Sequence, residues 1–159
     1  MFYSITLYAM IALMKKILSI LVLLLLLIAN PVFAIEYTQY FEFDGQKVFL
    51  EEAKSDRDKI RGLAQRDHLL TNTGMVFFYE SPVEQAFWMR NVRFPLDIIF
   101  LKDGFVTKIY KNAQPCTTDI CKIYSSKGLT NEVIEVNAGF CKEHKVKKDS
   151  IIRVKELVE

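Results

Sequence analysis

Two lysines, Lys15 and Lys16, are followed directly by an apolar run at residues 17–29, in which Ser19 is the one polar residue. This run divides the 159-residue chain into two parts of different character. The first 34 residues contain no acidic residue and no other basic one. A run of about a dozen apolar residues is typical of the hydrophobic region of a signal peptide, whereas roughly 20 are needed to span a bilayer. We therefore expect a secretory signal peptide.

The end of the apolar run predicts where that signal peptide is cleaved. Pro31 breaks the helix, and the small residues Val32 and Ala34 occupy the two positions that a signal peptidase reads. Cleavage is therefore expected before Ile35, with residues 1–34 removed. The mature protein is then periplasmic or secreted.

The position of the lysine pair also predicts the start of translation. A start at Met14 gives a Met-Lys-Lys opening, the ordinary positively charged beginning of a signal peptide. A start at Met1 instead places both lysines inside a long apolar segment, which is unfavourable. We expect Met14 to be the true start, and the alternative is an uncleaved membrane anchor.

The charge of the mature part bears on its partners. The chain has 21 Lys and Arg residues and 19 Asp and Glu residues, and only Lys15 and Lys16 precede Ile35, so the mature part holds 19 of each sign. Binding to nucleic acid or to an anionic membrane relies on a basic excess. We expect no nucleic-acid partner, no stable membrane anchor after cleavage, and an envelope ligand or protein of unknown identity as partner.

Residues 35–159 have the length of a single domain. Asp44-Gly45 and Asp103-Gly104 each separate two apolar segments, which predicts two tight β-hairpins. Ser55 precedes a segment with helical spacing of apolar residues, which predicts a helix over residues 56–65. Further strands are predicted at residues 74–79, 85–89, 96–101, 105–110, 131–136 and 151–158.

So few helices between so many strands argue against a parallel βαβ sheet. The predicted fold class is mainly β, an antiparallel β-sandwich or partly closed barrel with one main short helix. Phe77, Trp88, Phe100 and Ile134 lie in segments rich in strand-favouring residues, so we predict all four in the core.

Several short motifs follow one another through the mature part. They are Arg61-Gly62-Leu63, Gly74-Met75-Val76-Phe77-Phe78, Phe87-Trp88-Met89-Arg90-Asn91, Pro95-Leu96-Asp97-Ile98-Ile99-Phe100, Pro115-Cys116, Tyr124 and Val133-Ile134-Glu135-Val136-Asn137-Ala138-Gly139. In this order and spacing the chain resembles the DUF192 family, with two departures: Ala64 where the family usually has methionine, and Lys148-Asp149 in place of Gly-Asp. The resemblance implies a compact, mainly β domain, often exported, and no established reaction.

The densest group of polar and aromatic residues predicts a ligand pocket. Trp88, Asn91, Arg93 and Asp97 surround a turn fixed by a proline, and Glu135 is added from a later strand. Polar groups beside exposed aromatic rings are typical of ligand pockets. The structural alternative is that Asn91 binds backbone at the turn, that Asp97 is a cap or pairs with Arg61, and that Glu135 pairs with a Lys or Arg across the sheet.

Two classes of function stay open. We prefer a small binding or accessory module of the cell envelope. The alternative is a small envelope hydrolase in which Asp97 and Glu135 form a carboxylate pair, which requires their carboxyl groups to lie about 5 to 9 Å apart in one cleft. The histidines, His68 and His144, lie in predicted loops, and no hydrolase or metalloprotease motif is present.

The three cysteines predict a disulfide between Cys116 and Cys121, which are close in sequence and suited to an oxidising compartment. Cys141 is then left over. One alternative combines all three thiolates with His144 as zinc ligands, and another treats Cys116 as a reactive thiol. Neither a metal nor a cofactor is expected.

Overall fold

The computed structural model describes the backbone of residues 2–28 and 35–158, and the side chains of residues 10–23 and 35–158. It divides into two units, Met1–Ala34 and Ile35–Glu159. Val32 and Ala34, on which the predicted cleavage site depends, lie outside the described residues. Cleavage before Ile35 therefore stays a prediction.

The first unit contains one helix, α1 (Phe2–Ile28). Within its described part, the apolar side chains of Leu13, Ile17 and Leu21 are at least half exposed. Along the part of the chain that the structure describes, no helix combines the length and the apolar character needed to cross a membrane.

The second unit is built on one seven-stranded sheet. Its strands are β1 (Gln39–Phe43), β2 (Gln46–Glu52), β3 (Thr73–Trp88), β4 (Leu96–Lys102), β5 (Phe105–Ala113), β6 (Ile123–Asn137) and β7 (Lys155–Glu156). They lie in the order β5-β4-β6-β3-β2-β1-β7. β2 and β3 pair in parallel, and the other neighbours pair antiparallel. The sheet is not closed into a barrel, and the predicted mainly β fold class is confirmed.

Both predicted hairpins are present. Asp44 and Gly45 join β1 to β2 with φ values of 50° and 73°, and Asp103 and Gly104 join β4 to β5 with 53° and 77°. Positive φ at both central residues is the requirement of the tight turn that matches the twist of a hairpin. Asp and Gly tolerate this conformation better than most residues, which explains why the two dipeptides were sufficient to predict the turns.

Several predicted strands differ from the structure. Residues 74–79 and 85–88 belong to the single strand β3, because register shifts along its pairing with β6 absorb the interruption between them, and Met89 lies just after the strand. The predicted strand at residues 151–158 is reduced to β7. The backbone around β7 bonds to segments near opposite ends of the strand order. The Ile152 amide donates to the Gly104 carbonyl in the β4–β5 hairpin, and the Leu157 amide donates to the Thr38 carbonyl just before β1.

The main helix is shorter than predicted. α2 (Asp56–Arg61) begins with a capping box in which the Ser55 hydroxyl and the Asp58 carboxylate bind each other's backbone amides. It ends at Gly62, whose φ of 50° and ψ of −133° no residue with a side chain adopts readily. The predicted continuation to residue 65 is therefore wrong. A third helix, α3 (Phe140–Glu143), is a single turn.

Hydrophobic cores lie on both faces of the sheet. The first core contains Ala53, Leu63, Leu69, Met75, Phe77, Met89, Val92, Leu96, Ile98, Phe100, Ala113, Tyr124 and Val133. The second core contains Phe41, Val48, Leu50, Val76, Ile99, Leu101, Val106, Ile134, Val136, Cys141, Val146 and Ile152. Successive residues of one strand alternate between the cores because successive side chains point to opposite faces.

Three of the four predicted core residues are fully buried: Phe77, Phe100 and Ile134. The prediction for Trp88 is wrong, since its side chain is 47% exposed. Phe87 packs against the first core and Met89 belongs to it, so Trp88 is the position between two core-facing residues. Strand-favouring neighbours do not show which residues of a strand face the core.

Candidate functional site

Glu135 is a carboxylic acid inside the first core. It pairs across the sheet with Met75 of β3 and Ile98 of β4, which both belong to that core. The residue is 4% exposed, and its Oε2 atom has no hydrogen-bond partner among the described residues. A buried polar atom without a partner destabilises the fold by about 1 to 3 kcal/mol, so the arrangement calls for an explanation.

A cleft of about 230 Å³ borders Glu135. One wall comes from β3, which contributes the aromatic side chains of Phe77, Tyr79, Phe87 and Trp88. The opposite wall comes from α2 and the residues that follow it. The Phe77 and Phe87 rings meet edge to face with centroids 4.9 Å apart, which fixes part of the aromatic wall. Below, we call this the Glu135 cleft.

Gly62 keeps the space next to the carboxyl group open. A Cβ atom at this position would lie 3.8 Å from Oε2 of Glu135 and 3.6 Å from Cζ of Phe77. The backbone conformation that ends α2 also disfavours any side chain here. The same glycine therefore terminates the helix and leaves room above the buried acid.

Burial controls the charge of Glu135. Loss of water around the carboxyl group raises the pKa of Glu135 to about 8, against a smaller lowering by the Arg66 guanidinium. Burial and the nearby Glu135 together raise the pKa of Tyr79 to about 12. Near pH 7 both side chains are therefore mostly neutral, and a protonated carboxyl offers one O–H donor.

Cationic side chains also line the cleft. The Lys59 ammonium lies 4.8 Å from the centroid of the Tyr79 ring, and the Arg90 guanidinium lies 5.6 Å from that of Trp88. Such contacts are favourable because the face of an aromatic ring is electron-rich. Arg61 is the third cation of the lining.

The structure separates Asp97 from this cleft. Its Oδ1 accepts a hydrogen bond from the Asn112 amide at 2.7 Å, and its Oδ2 accepts one from the Cys141 amide at 2.8 Å. Asp97 pairs across the sheet with Val136, whose side chain belongs to the second core. Asp97 is therefore a structural residue that ties together neighbouring segments of backbone.

The proposed carboxylate pair is consequently wrong. Since Val136 and its neighbour Glu135 point to opposite faces of β6, Asp97 and Glu135 also lie on opposite faces of the sheet. A glycosidase mechanism needs both carboxyl groups on one bound sugar. The hydrolase alternative has no structural basis in these two residues.

Asn91 and Arg93 line a separate groove, together with residues that include Gln65 and Cys116. Asn91 has a φ of 59°, and its carbonyl accepts a hydrogen bond from the Gln65 amide at 2.7 Å, so it holds a turn. Arg93 forms an exposed ion pair with Asp67. Neither side chain lines the Glu135 cleft.

Of the predicted pocket residues, the structure thus brings together Trp88 and Glu135. Sequence reasoning missed Gly62, Tyr79 and Arg90 as parts of the cleft. Two of these lie in motifs on which the family resemblance depends, around residues 61–63 and 87–91. Those motifs could have indicated the two residues, but sequence alone does not show that the motifs meet around Glu135 in the folded domain.

The predicted disulfide between Cys116 and Cys121 is present, with Cα atoms 5.5 Å apart. It uses two of the four ligands that the zinc alternative requires, and it removes the free thiol that a reactive Cys116 requires. Cys141 is a free, buried thiol, and burial together with the nearby Asp97 raises its pKa well above the ordinary range.

The disulfide loop also contacts the cleft. The Cys116 amide donates to the Met89 carbonyl at 3.0 Å, and the Arg90 guanidinium donates to the Asp119 carbonyl at the same distance. Arg90 therefore lies between the loop and the ring of Trp88.

Comparison with known proteins agrees with this architecture. The sequence model of the DUF192 family, described as "Uncharacterized ACR", matches residues 40–154. The resemblance inferred from the motifs is thereby confirmed. No curated protein matches the chain.

Solved structures share the fold. A protein from Sinorhizobium meliloti 1021, described as a candidate transcription regulator, is 25% identical, with 77% of this chain and 97% of that chain covered and a TM-score of 0.66. A protein of unknown function from Novosphingobium aromaticivorans DSM 12444 is 29% identical, with 79% and 89% covered and the same TM-score.

Proposed function

The chain belongs to the DUF192 family, and from the geometry of the Glu135 cleft we propose that it is a small ligand-binding module of the cell envelope. The observation that carries the proposal is the unpartnered Oε2 atom of Glu135, which is buried next to a cleft with aromatic walls. A ligand that hydrogen-bonds to this carboxyl group offsets the cost of burying it.

Binding explains the site better than catalysis does. Glu135 has no second carboxylate in its cleft, because Asp97 lies on the other face of the sheet. A lone acid supplies one half of the proton transfer that hydrolysis requires. Recognition of a small molecule needs apolar or aromatic walls and a few hydrogen-bonding groups. The aromatic side chains and the carboxyl group of this cleft supply them.

Location in the envelope is supported by two features. The apolar run after Lys15 and Lys16 is typical of an export signal, and the Cys116–Cys121 disulfide suits an oxidising compartment. From Ile35 onwards the chain has as many acidic as basic residues and so lacks the basic excess that favours DNA binding, and we do not extend a role in transcription to this chain.

Native mass spectrometry tests the binding role. Protein recovered from the periplasm under gentle conditions is compared with the same protein after unfolding, dialysis and refolding. We expect a small molecule of constant mass on the recovered protein alone. Trp88→Ala and Glu135→Leu should both carry less of it, because the first removes an aromatic ring from the wall of the cleft and the second removes the hydrogen-bonding group of Glu135.

Phe105→Ala is the matched control. Phe105 is 46% exposed, nearly the same as the 47% of Trp88, and it lies on β5, outside the cleft. Its loss should leave the bound mass in place. Equal loss in the Trp88 and Phe105 variants, or a recovered protein that is always ligand-free, would contradict the proposal.

A further inference from the structure

The cleft carries an excess of positive charge. Glu135 is the one acidic residue among those that line it, whereas Lys59, Arg61 and Arg90 are cationic. The Arg61 charge is partly balanced by Asp58, whose carboxylate is 2.8 Å away. Among the described residues neither Lys59 nor Arg90 lies within ion-pair distance of a carboxylate. These two side chains therefore attract a negative group on a ligand.

The buried end of the cleft, at Glu135, favours a different chemical group on the ligand. The charged or titratable groups around Glu135 are Tyr79 on β3, Arg66 after α2, and the lining cations named above. The Arg66 charge is already paired with Glu51 at 2.7 Å. Burial raises the pKa of Glu135 to about 8, so near pH 7 its carboxyl is mostly protonated. Glu135 lines the cleft and its Oε2 atom has no partner among the described residues, so the carboxyl has an O–H donor to offer to an acceptor on a ligand.

The size and shape of the cleft restrict the part of the ligand that lies between the cationic end and Glu135. The cleft of about 230 Å³ is smaller than the roughly 300 to 1,000 Å³ typical of sites for drug-sized ligands. Its walls include the flat rings of Phe87 and Trp88. A single planar ring or a compact alkyl group matches this space.

We propose that the Glu135 cleft selects a small organic anion with three parts: an acid group next to Lys59 and Arg90, a flat apolar body against Phe87 and Trp88, and a hydrogen-bond acceptor at Glu135. This inference rests on the proposed binding function and names its ligand class. A cationic ligand would face two unpaired cations, and a neutral ligand would leave them unused.

Three probes of one shape test the charge. They are 4-methoxybenzoate, 4-methoxybenzyl alcohol and 4-methoxybenzylamine, which share the ring and an ether acceptor and differ in the charge at the other end. Trp88 is the single tryptophan of the chain and lines the cleft, so its fluorescence reports on occupancy. At pH 7 we expect the benzoate to bind about tenfold more tightly than the amine, because one charge-assisted hydrogen bond contributes roughly that factor.

Variants then locate the selectivity. Lys59→Gln combined with Arg90→Gln should bring the affinities for the benzoate and the amine close together. Arg57→Gln is the control, because Arg57 is an exposed cation of the same helix that does not line the cleft. It should keep the preference for the benzoate.

The outcomes separate this inference from the proposed function. Equal or tighter binding of the amine or the alcohol by the native protein would overturn the anion class, while the cleft remains a binding site. A Trp88 signal unchanged by all three probes would also overturn the inference. Whether the cleft binds another molecule is then decided by the native mass spectra.

Discussion

At the scale of one residue, Glu135 is an exception to the apolar pattern of the core around it. A strand residue that pairs with Met75 and Ile98 is expected to be apolar, and an acid here loses its water and has an oxygen atom without a partner. Residues that break a local rule in this way concentrate at functional sites. The sequence singled out Glu135, but its burial became clear only from the pairing of β6.

The buried acid predicts how stability depends on pH. The pKa of Glu135 is raised from an ordinary 4.5 to about 8 in the folded state, so between these values the folded state binds more protons than the unfolded state. The free energy of unfolding should therefore fall as the pH rises from 4.5, by up to about 1.4 kcal/mol per pH unit, and level off above pH 8. In Glu135→Gln this contribution should vanish. Urea denaturation of both proteins from pH 5 to 9 measures it, and identical slopes would refute the assignment.

Gly74 gives a second prediction at this scale. A Cβ atom at Gly74 would lie 2.5 Å from the carbonyl oxygen of Glu135 and 2.8 Å from Cδ2 of Leu50, so β3 must shift to accept it. Gly74→Ala should lower the free energy of unfolding by about 1 to 3 kcal/mol. Gly128→Ala is the control, because nothing lies within 4 Å of a Cβ there. Denaturation midpoints compare the two, and equal midpoints would show that the contact at residue 74 is relieved easily.

At the scale of secondary-structure elements, short sequence motifs predicted the features that depend on neighbouring residues alone. Asp44-Gly45 and Asp103-Gly104 identified their hairpins because a two-residue turn depends on its own φ values. The register between β4 and β6 depends on residues far apart in sequence, and it is this register that places Asp97 and Glu135 on opposite faces. The carboxylate pair failed for that reason. Trp88 was misplaced because strand-favouring neighbours do not show which residues at the end of β3 face the core.

The disulfide loop gives a prediction at this scale. Replacing Cys116 and Cys121 by serine should lower the free energy of unfolding by less than the roughly 3 kcal/mol expected for a loop of 15 residues, because their loop is much shorter. Amide hydrogen exchange near Asp119 and Arg90 should become faster, since the loop supplies a contact to that arginine. A large loss of stability with unchanged exchange would contradict a purely local role.

At the scale of the whole molecule, the sheet and both cores lie within the unit Ile35–Glu159. The mainly β fold followed from counting strands against helices. The parallel pairing of β2 with β3 did not, because it depends on how the chain through α2 returns to the sheet.

Export gives a prediction for the whole chain. Protein isolated from the envelope should begin Ile35-Glu36-Tyr37, and a chain that starts at Ile35 should unfold in one cooperative transition. N-terminal sequencing and thermal denaturation measure these two properties. An intact Met1 or Met14 on the isolated protein would mean a membrane anchor instead of a cleaved signal.

A crystallographic fragment screen tests the central claim, that the Glu135 cleft is a ligand site, most directly. Crystals of Ile35–Glu159 in which the cleft faces solvent are soaked with chemically varied single-ring compounds. We predict that the bound compounds cluster against Trp88 and accept a hydrogen bond from the carboxyl group of Glu135. Compounds that bind repeatedly elsewhere on the domain, with the Glu135 cleft left empty, would contradict the account.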